Sequence, residues 1–173
     1  MEQNEKKIKV SFNSPVVLIF SIICFISLIV GFLTMGTSTN LLFSVYRAPL
    51  SDPLTYVRLI CHVFGHSGWQ HFIGNIMMIL VLGPLLEEKY GSFNIAVVMF
   101  VTALVTGAIH FAFFPNAQLL GASGIVFAFI LLSSITSLKE RKIPVTFILV
   151  IDGFSDVQEM DMIEAYIMVE VPR

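Results

Sequence analysis

Long apolar segments make up most of the chain and alternate with short polar connections. The first four segments are each close to the roughly 20 residues that an α-helix needs to cross the hydrocarbon core of a bilayer. A fifth begins after a basic turn and stays apolar for a shorter distance. The pattern predicts an all-α fold, a polytopic membrane helical bundle of about five spans, over residues 15–33, 69–86, 93–114, 118–138 and 143–154.

Residues that stop or start helices lie between these segments. Gly91 follows the second, Pro115 closes the third, and Pro144 suits the first turn of the fifth. A long connection, residues 34–60, joins the first two segments and still carries apolar and aromatic side chains. We expect this connection to lie partly in the membrane interface.

Polarity divides the chain into three regions. Residues 1–14 form a polar, lysine-bearing tail, residues 15–154 a membrane domain, and residues 155–173 an acidic tail with too many carboxylates to span a bilayer. The apolar run that starts at residue 15 is too long for the core of a signal peptide. The sequence therefore predicts that the first segment is a retained span.

Composition agrees with a membrane protein and argues against several other classes. Mean hydropathy is +0.86 and only 13% of residues are charged, whereas a soluble domain of this length needs a more polar surface. The apolar segments make the lipid bilayer the expected partner, and because no basic patch is present we expect no nucleic acid; the net charge of −2 says little about partners. The two cysteines form neither a disulfide framework nor a metal-binding pair.

Lysine and arginine counts predict the orientation. The N-terminal tail and the 139–142 turn carry three cations each, and Lys89 falls on the same side if the span order holds. Since cytoplasmic connections are enriched in lysine and arginine, we expect an integral, multi-pass protein with a cytoplasmic N-terminus. The outer ends of the second and fourth spans then share one side, which puts His71 and Ser123 at similar depth.

The fourth segment carries Gly-Ala-Ser-Gly at 121–124. Glycine costs helix propensity, and inside a membrane it usually marks close approach of a neighbouring helix. Ser123 lies between the two glycines, where a neighbouring helix can bring polar groups to its hydroxyl. The alternative is that Ser123 only bonds to a carbonyl one turn earlier.

The second segment begins with a polar cluster. His71 and Asn75 are one turn apart on one helix face, where they can donate hydrogen bonds to an oxyanion. They can equally join helices together, and the histidines near Trp69 can be interfacial residues. His62 and His66 have a spacing seen in metal sites, but no nearby carboxylate completes one, so no metal is predicted.

Taken together, these motifs resemble those of the rhomboid family of intramembrane serine proteases. The resemblance covers roughly residues 15–150. It is carried by His-x3-His-x4-His-x3-Asn at 62–75 with Trp69, by Gly-Ala-Ser-Gly at 121–124, by Leu86-Glu87-x3-Gly91, and by Tyr46-Arg47 in the long first connection.

The resemblance implies a six-helix core that cleaves membrane-anchored proteins in or near their spans. It implies no cofactor, and it implies that water reaches the site through a cavity beneath the long connection. Residue by residue, it implies a nucleophile, Ser123, an oxyanion site made by the Ser123 N–H with His71 and Asn75, close packing at Gly121 and Gly124, and a structural glutamate, Glu87.

The sequence departs from the family pattern after the fourth segment. The family's general base is a histidine on the sixth span, and no histidine follows Ser123 here. The change of composition near Asp152 identifies the chain as C-terminally truncated or divergent. Without that histidine, the other candidates to accept the Ser123 proton are His110 and His71.

Three functions remain open at this point. The first is an intramembrane serine endopeptidase whose activity depends on a replacement base. The second is a catalytically inactive rhomboid-like protein that binds client transmembrane segments, and the third is a truncated product that folds poorly. A transporter is a weaker alternative, because the spans lack the charged residues that such pathways often carry.

Overall fold

A computed structural model describes residues 13–139 of the chain. The helices of this part follow the predicted order, with two shorter helices and a single 3₁₀ turn, His62–Phe64, between the first two predicted spans. They are α1 (Pro15–Leu33), α2 (Thr37–Leu42), α3 (Pro53–Cys61), α4 (Trp69–Tyr90), α5 (Ser92–Phe113) and α6 (Ser123–Lys139).

The described helices confirm an all-α, membrane-type bundle. Within this part of the chain, α1, α4 and α5 are each long and apolar enough to cross a bilayer, and α6 is a shorter apolar helix of 17 residues. The predicted fifth span, residues 143–154, and the predicted acidic tail, residues 155–173, lie outside the described residues, as does most of the N-terminal tail.

One predicted helix stop is confirmed and one predicted helix start was wrong. Helix α4 continues past the apolar segment 69–86 to Tyr90 and stops at Gly91, as predicted, where φ is +82°. Helix α6 begins at Ser123 and not at residue 118. The preceding segment is extended because Leu119 pairs with Val45 through two backbone hydrogen bonds of 2.8 and 2.9 Å.

Helix α4 packs against α1, α5 and α6, and α5 packs in addition against α3 and α6. The end of α1, the start of α4, the end of α5 and the start of α6 meet at one end of the bundle, which we call the site end. The core between the helices is apolar and includes the fully buried side chains of Cys24, Ile79, Ile95, Ile125 and Phe129.

Glu87 fixes α1 at the opposite end. Its side chain is 2% exposed, and its carboxylate accepts hydrogen bonds from the backbone N–H groups of Val16 and Val17, each at 3.0 Å. The Ser92 hydroxyl donates a third at 2.7 Å. The first N–H groups of a helix have no acceptor inside it, and a carboxylate there also complements the helix dipole. Glu87 therefore caps α1 from the last turn of α4.

We expect Glu87→Ala to destabilise the fold. The change leaves three donors without an acceptor, which costs on the order of 3 kcal/mol in total. A loss of that size lowers the melting temperature by about 6–12 °C in a chain of this length. Thermal unfolding in detergent measures it, with Glu88→Ala as control, since Glu88 is exposed and carries the same charge. Equal melting temperatures for the two variants would contradict the capping role.

The first connection is organised around Arg58. The guanidinium is 2% exposed, pairs with Asp52 at 2.6 Å, donates to the Tyr46 hydroxyl at 3.0 Å and lies 4.6 Å from the centre of the Tyr46 ring. The hydrogen bond from Arg58 holds the pKa of Asp52 below its usual range. Arg47 ties the same connection to the end of α5 by donating to the carbonyls of Phe111 and Ala112. These contacts hold the first connection in a defined conformation, in which it covers the site end.

Candidate active site

Ser123 is the first residue of α6, and its side chain is exposed. The N–H of Val126 donates to the Ala122 carbonyl at 3.0 Å, as the first bond of the helix. The N–H groups of Ser123 and Gly124 therefore have no acceptor within the helix, and they carry the positive end of its dipole. An exposed hydroxyl at this position has donors for an anion directly beside it.

The backbone just before Ser123 lies against the ring of His71. Gly121 has a φ of +120°, and its N–H donates to the His62 carbonyl at 2.9 Å. A Cβ at Gly121 would lie 2.7 Å from both Cε1 and Nε2 of His71. Only glycine leaves room for the imidazole there, because atoms at that distance overlap. The Nε2 edge of His71 thus faces the segment that leads into Ser123.

Asn75 lies one turn further along α4, on the same face. It is 8% exposed, and its Nδ2 donates to the His71 carbonyl at 2.9 Å. The same Nδ2 is 3.8 Å from the position of a Cβ at Gly121. A side-chain amide has two N–H donors, so one is left for a ligand. The structure thus brings His71, Asn75 and the segment leading into Ser123 together at the site end.

The second glycine of the motif allows α6 to approach α5. A Cβ at Gly124 would lie 3.2 Å from Cγ2 of Thr106. The Thr106 hydroxyl donates to the Thr102 carbonyl at 2.7 Å, so it accepts from Nε2 of His62, which is 3.3 Å away. Thr106 therefore connects α5, the start of α6 and the turn that precedes α4.

His62 and His66 are buried, at 1% and 4% exposure, and are not interfacial side chains. Nδ1 of His66 donates to the Phe64 carbonyl at 3.2 Å, and its ring meets the His71 ring edge-on at 5.2 Å. Within the described part of the chain, no three histidine, cysteine or acidic side chains come close enough to hold a metal ion. The hydrogen bonds of His62 to Thr106 and of His66 to the Phe64 carbonyl hold the turn that precedes α4, the helix that carries His71.

The burial of these two histidines predicts that the free energy of unfolding depends on pH. Burial lowers the pKa of both His62 and His66 to about 4, from an ordinary value of 6.5. The folded protein keeps them neutral, whereas the unfolded chain takes up protons near pH 6.5, so acid favours unfolding. The stabilisation is present above pH 6.5 and is lost progressively down to about pH 4.

Thermal unfolding between about pH 8 and pH 4.5 measures this effect. We expect the melting temperature to decrease as the pH is lowered from 6.5. The fall should be shallower in His66→Gln, which retains a donor for the Phe64 carbonyl but does not titrate. A melting temperature that stays constant over this range would contradict the assignment of both histidines as buried and neutral.

His110 lies near the end of α5 and has a structural contact. Its Nε2 donates to the Ala117 carbonyl at 3.1 Å, and its ring stacks on Phe114. It thereby holds the turn between α5 and α6. Among the described residues, no side chain hydrogen-bonds to the Ser123 hydroxyl, so neither His110 nor His71 is engaged with it as a base.

A cavity of about 350 Å³ opens at the site end, between α1, α2 and the turns before α4 and α6. Its lining includes Leu120 and Ser67, which directly precede Gly121 and Gly68. Its lining mixes apolar groups with polar side chains that can hold water, namely Thr39, Asn40, His66, Ser67 and Gln118.

Sequence reasoning missed two residues of the site. Ser67 lies four residues before His71, and its Oγ is 3.2 Å from Nδ1 of that histidine. The i, i+4 spacing is a signal that was available in the sequence. Thr106 had no such signal, because its contacts with His62 and Gly124 join distant parts of the chain.

The helices and the polar cluster at one end of the bundle define an integral, multi-pass membrane protein. A family model described as the rhomboid domain matches residues 53–162, which is more than half of the chain. The chain belongs to the rhomboid family.

Curated relatives carry the same family name. Rhomboid-related protein 2 of Mus musculus is 34% identical over 87 residues, which cover 46% of this chain and 29% of the mouse protein. Rhomboid-like protein 11, chloroplastic, of Arabidopsis thaliana is 26% identical over 85 residues, which cover 49% of this chain and 30% of the plant protein. The matched segment thus spans less than a third of either relative.

Proposed function

We propose that the chain is an intramembrane serine endopeptidase of the rhomboid type, which cleaves membrane-anchored proteins in or near their spans. The observation that carries the proposal is the position of His71 and Asn75. Both lie against Gly121, two residues before the exposed hydroxyl of Ser123. Membership of the rhomboid family supports the same reaction class.

In this proposal Ser123 is the nucleophile. Its Oγ gives up its proton to a water molecule and adds to the carbonyl carbon of the scissile peptide bond, whose C=O double bond opens and leaves an anion on the oxygen. When the C=O bond re-forms, the C–N bond breaks, the leaving amine takes up the proton, and a second water hydrolyses the acyl–serine ester. The N–H of Ser123, Nε2 of His71 and Nδ2 of Asn75 donate hydrogen bonds to that anion. Loss of one such donor typically slows acyl transfer about 10²–10³-fold.

The proposed orientation follows the distribution of cations. The N-terminus lies on the cytoplasmic side, and the site end then faces the opposite side of the membrane. Residues 15–154 form the membrane domain in this arrangement, between the short polar tail and the acidic tail. The exposed hydroxyl at the start of α6 meets a substrate near the membrane boundary.

A second function is favoured by one observation. Within the described residues no side chain hydrogen-bonds to the Ser123 hydroxyl. Since a serine hydroxyl without a base is a poor nucleophile, this arrangement suits an inactive rhomboid-like protein. Such a protein binds client transmembrane segments and does not cut them.

Labelling with a fluorophosphonate separates the two functions. The purified chain in detergent is compared with Ser123→Ala and with Ser134→Ala, since Ser134 is in the same helix and bonds only to the Ile130 carbonyl. We expect label on the unmodified protein and on Ser134→Ala, and none on Ser123→Ala. A folded protein that takes up no label in any form would contradict the endopeptidase and favour the binding function.

A further inference from the structure

Ser67 and Gly121 lie beside different nitrogens of the His71 ring. Ser67 is exposed, precedes α4, and places its Oγ 3.2 Å from Nδ1. Gly121 lies beside Cε1 and Nε2, at the edge that faces the segment leading into Ser123. One ring nitrogen therefore meets a serine hydroxyl, while the other meets the segment where the proposed anion forms.

The proton on a neutral imidazole decides what Nε2 can do. If Nε2 carries the proton, it donates to an oxyanion, and if Nδ1 carries it, Nε2 is an acceptor. The hydrogen bond at one nitrogen sets the state of the other. A serine hydroxyl can donate to Nδ1 or accept from it, so the direction of the Ser67 hydrogen bond decides whether Nε2 carries the proton.

The neighbouring histidine cannot replace Ser67 in this role. Nδ1 of His66 carries its proton toward the Phe64 carbonyl, and burial keeps the pKa of His66 near 4, so its Nε2 has no proton to give. Within the described residues, Ser67 is the side chain that hydrogen-bonds to the His71 ring.

We infer that Ser67 is a positioning residue that donates its hydroxyl proton to Nδ1 of His71 and holds the ring in the Nε2–H form. The direction of this hydrogen bond and its catalytic meaning rest on the proposed function, in which Nε2 of His71 donates to the oxyanion. His71 is thereby assigned to the oxyanion and not to the removal of the Ser123 proton.

Nitrogen NMR of histidine-labelled protein in detergent at about pH 8 reports both ring nitrogens directly. The His71 signals are identified by their loss in His71→Asn. We expect an unprotonated, hydrogen-bonded Nδ1 and a protonated Nε2. In Ser67→Ala the Nδ1 signal should move to the value of a nitrogen without a hydrogen bond, and Ser67→Thr should restore it. A protonated Nδ1, or an Nδ1 signal unchanged in Ser67→Ala, would overturn the inference.

Fluorophosphonate labelling gives a second readout. Ser67→Ala should be labelled about tenfold more slowly than the unmodified protein, with an unchanged melting temperature and recovery in Ser67→Thr. The control is Ser38→Ala, because Ser38 lies in α2 and its hydroxyl hydrogen-bonds to the Thr34 hydroxyl. Equal rates for Ser67→Ala and the unmodified protein would overturn the role of Ser67. Absence of label from the unmodified protein would refute the proposed function, and the NMR result would still decide the tautomer.

Discussion

Gly107→Ala is expected to destabilise the folded protein strongly in detergent. Gly107 is buried in α5, and a Cβ there would lie 2.3 Å from the backbone carbonyl oxygen of Leu59 and 3.1 Å from its Cα. These are main-chain atoms of α3, so the overlap is relieved only by moving one helix away from the other. Overpacking typically costs about 1–3 kcal/mol, and we expect about 4 kcal/mol here because two helices must separate at main-chain atoms.

The gain in helix propensity does not offset this cost. Alanine favours a helix over glycine by about 1 kcal/mol, so we expect a net loss of about 3 kcal/mol and a melting temperature lower by roughly 6–12 °C. Gly74→Ala is the matched control, because it has the same propensity gain in α4 and its Cβ meets nothing within 4 Å. Melting of the two variants within about 2 °C would show that α3 and α5 do not meet closely at Leu59.

Gly121→Ala is expected to have the largest effect on reactivity. The new Cβ occupies the space of the His71 imidazole, at 2.7 Å from Nε2, and a φ of +120° is strained for any side chain. The ring must turn away from the segment that leads to Ser123. Since one oxyanion donor is worth about 10²–10³ in rate, we expect fluorophosphonate labelling of Ser123 to slow at least about 100-fold.

A suitable control introduces similar backbone strain but no overlap between the new Cβ and another residue. Gly36 has a φ of +84° in the turn after α1, and a Cβ there meets nothing within 4 Å. Gly36→Ala should therefore lose about 1–2 kcal/mol of stability and retain its labelling rate. If Gly121→Ala is labelled as fast as Gly36→Ala, the His71 ring is not required beside Ser123.

The spans were predictable because hydrophobicity along a membrane helix is a local property. Helix α1 has the predicted bounds, and α5 is displaced by one residue from the predicted 93–114. The bundle class followed from the same segments. The start of α6 was not predictable, because the pairing of Leu119 with Val45 competes with the helix and joins residues far apart in the sequence.

The site was predictable in part for a topological reason. Helices that alternate in direction bring the starts of α4 and α6 to one end, so His71 and Ser123 were expected at similar depth. The left-handed conformation of Gly121 and the burial of His66 depend on packing between elements. A sequence alone holds no local signal for either, and the contact of Gly107 with Leu59 is of the same kind.

Cleavage of a single-span reporter protein in proteoliposomes tests the endopeptidase assignment most directly. The reporter is reconstituted with the unmodified chain, with Ser123→Ala, and with Ser134→Ala as the control serine in the same helix. We expect cleavage by the unmodified chain and by Ser134→Ala at least about 100-fold faster than by Ser123→Ala. Equal cleavage by all three would show that Ser123 is not the nucleophile, and capture of the reporter without cleavage would assign the chain to binding.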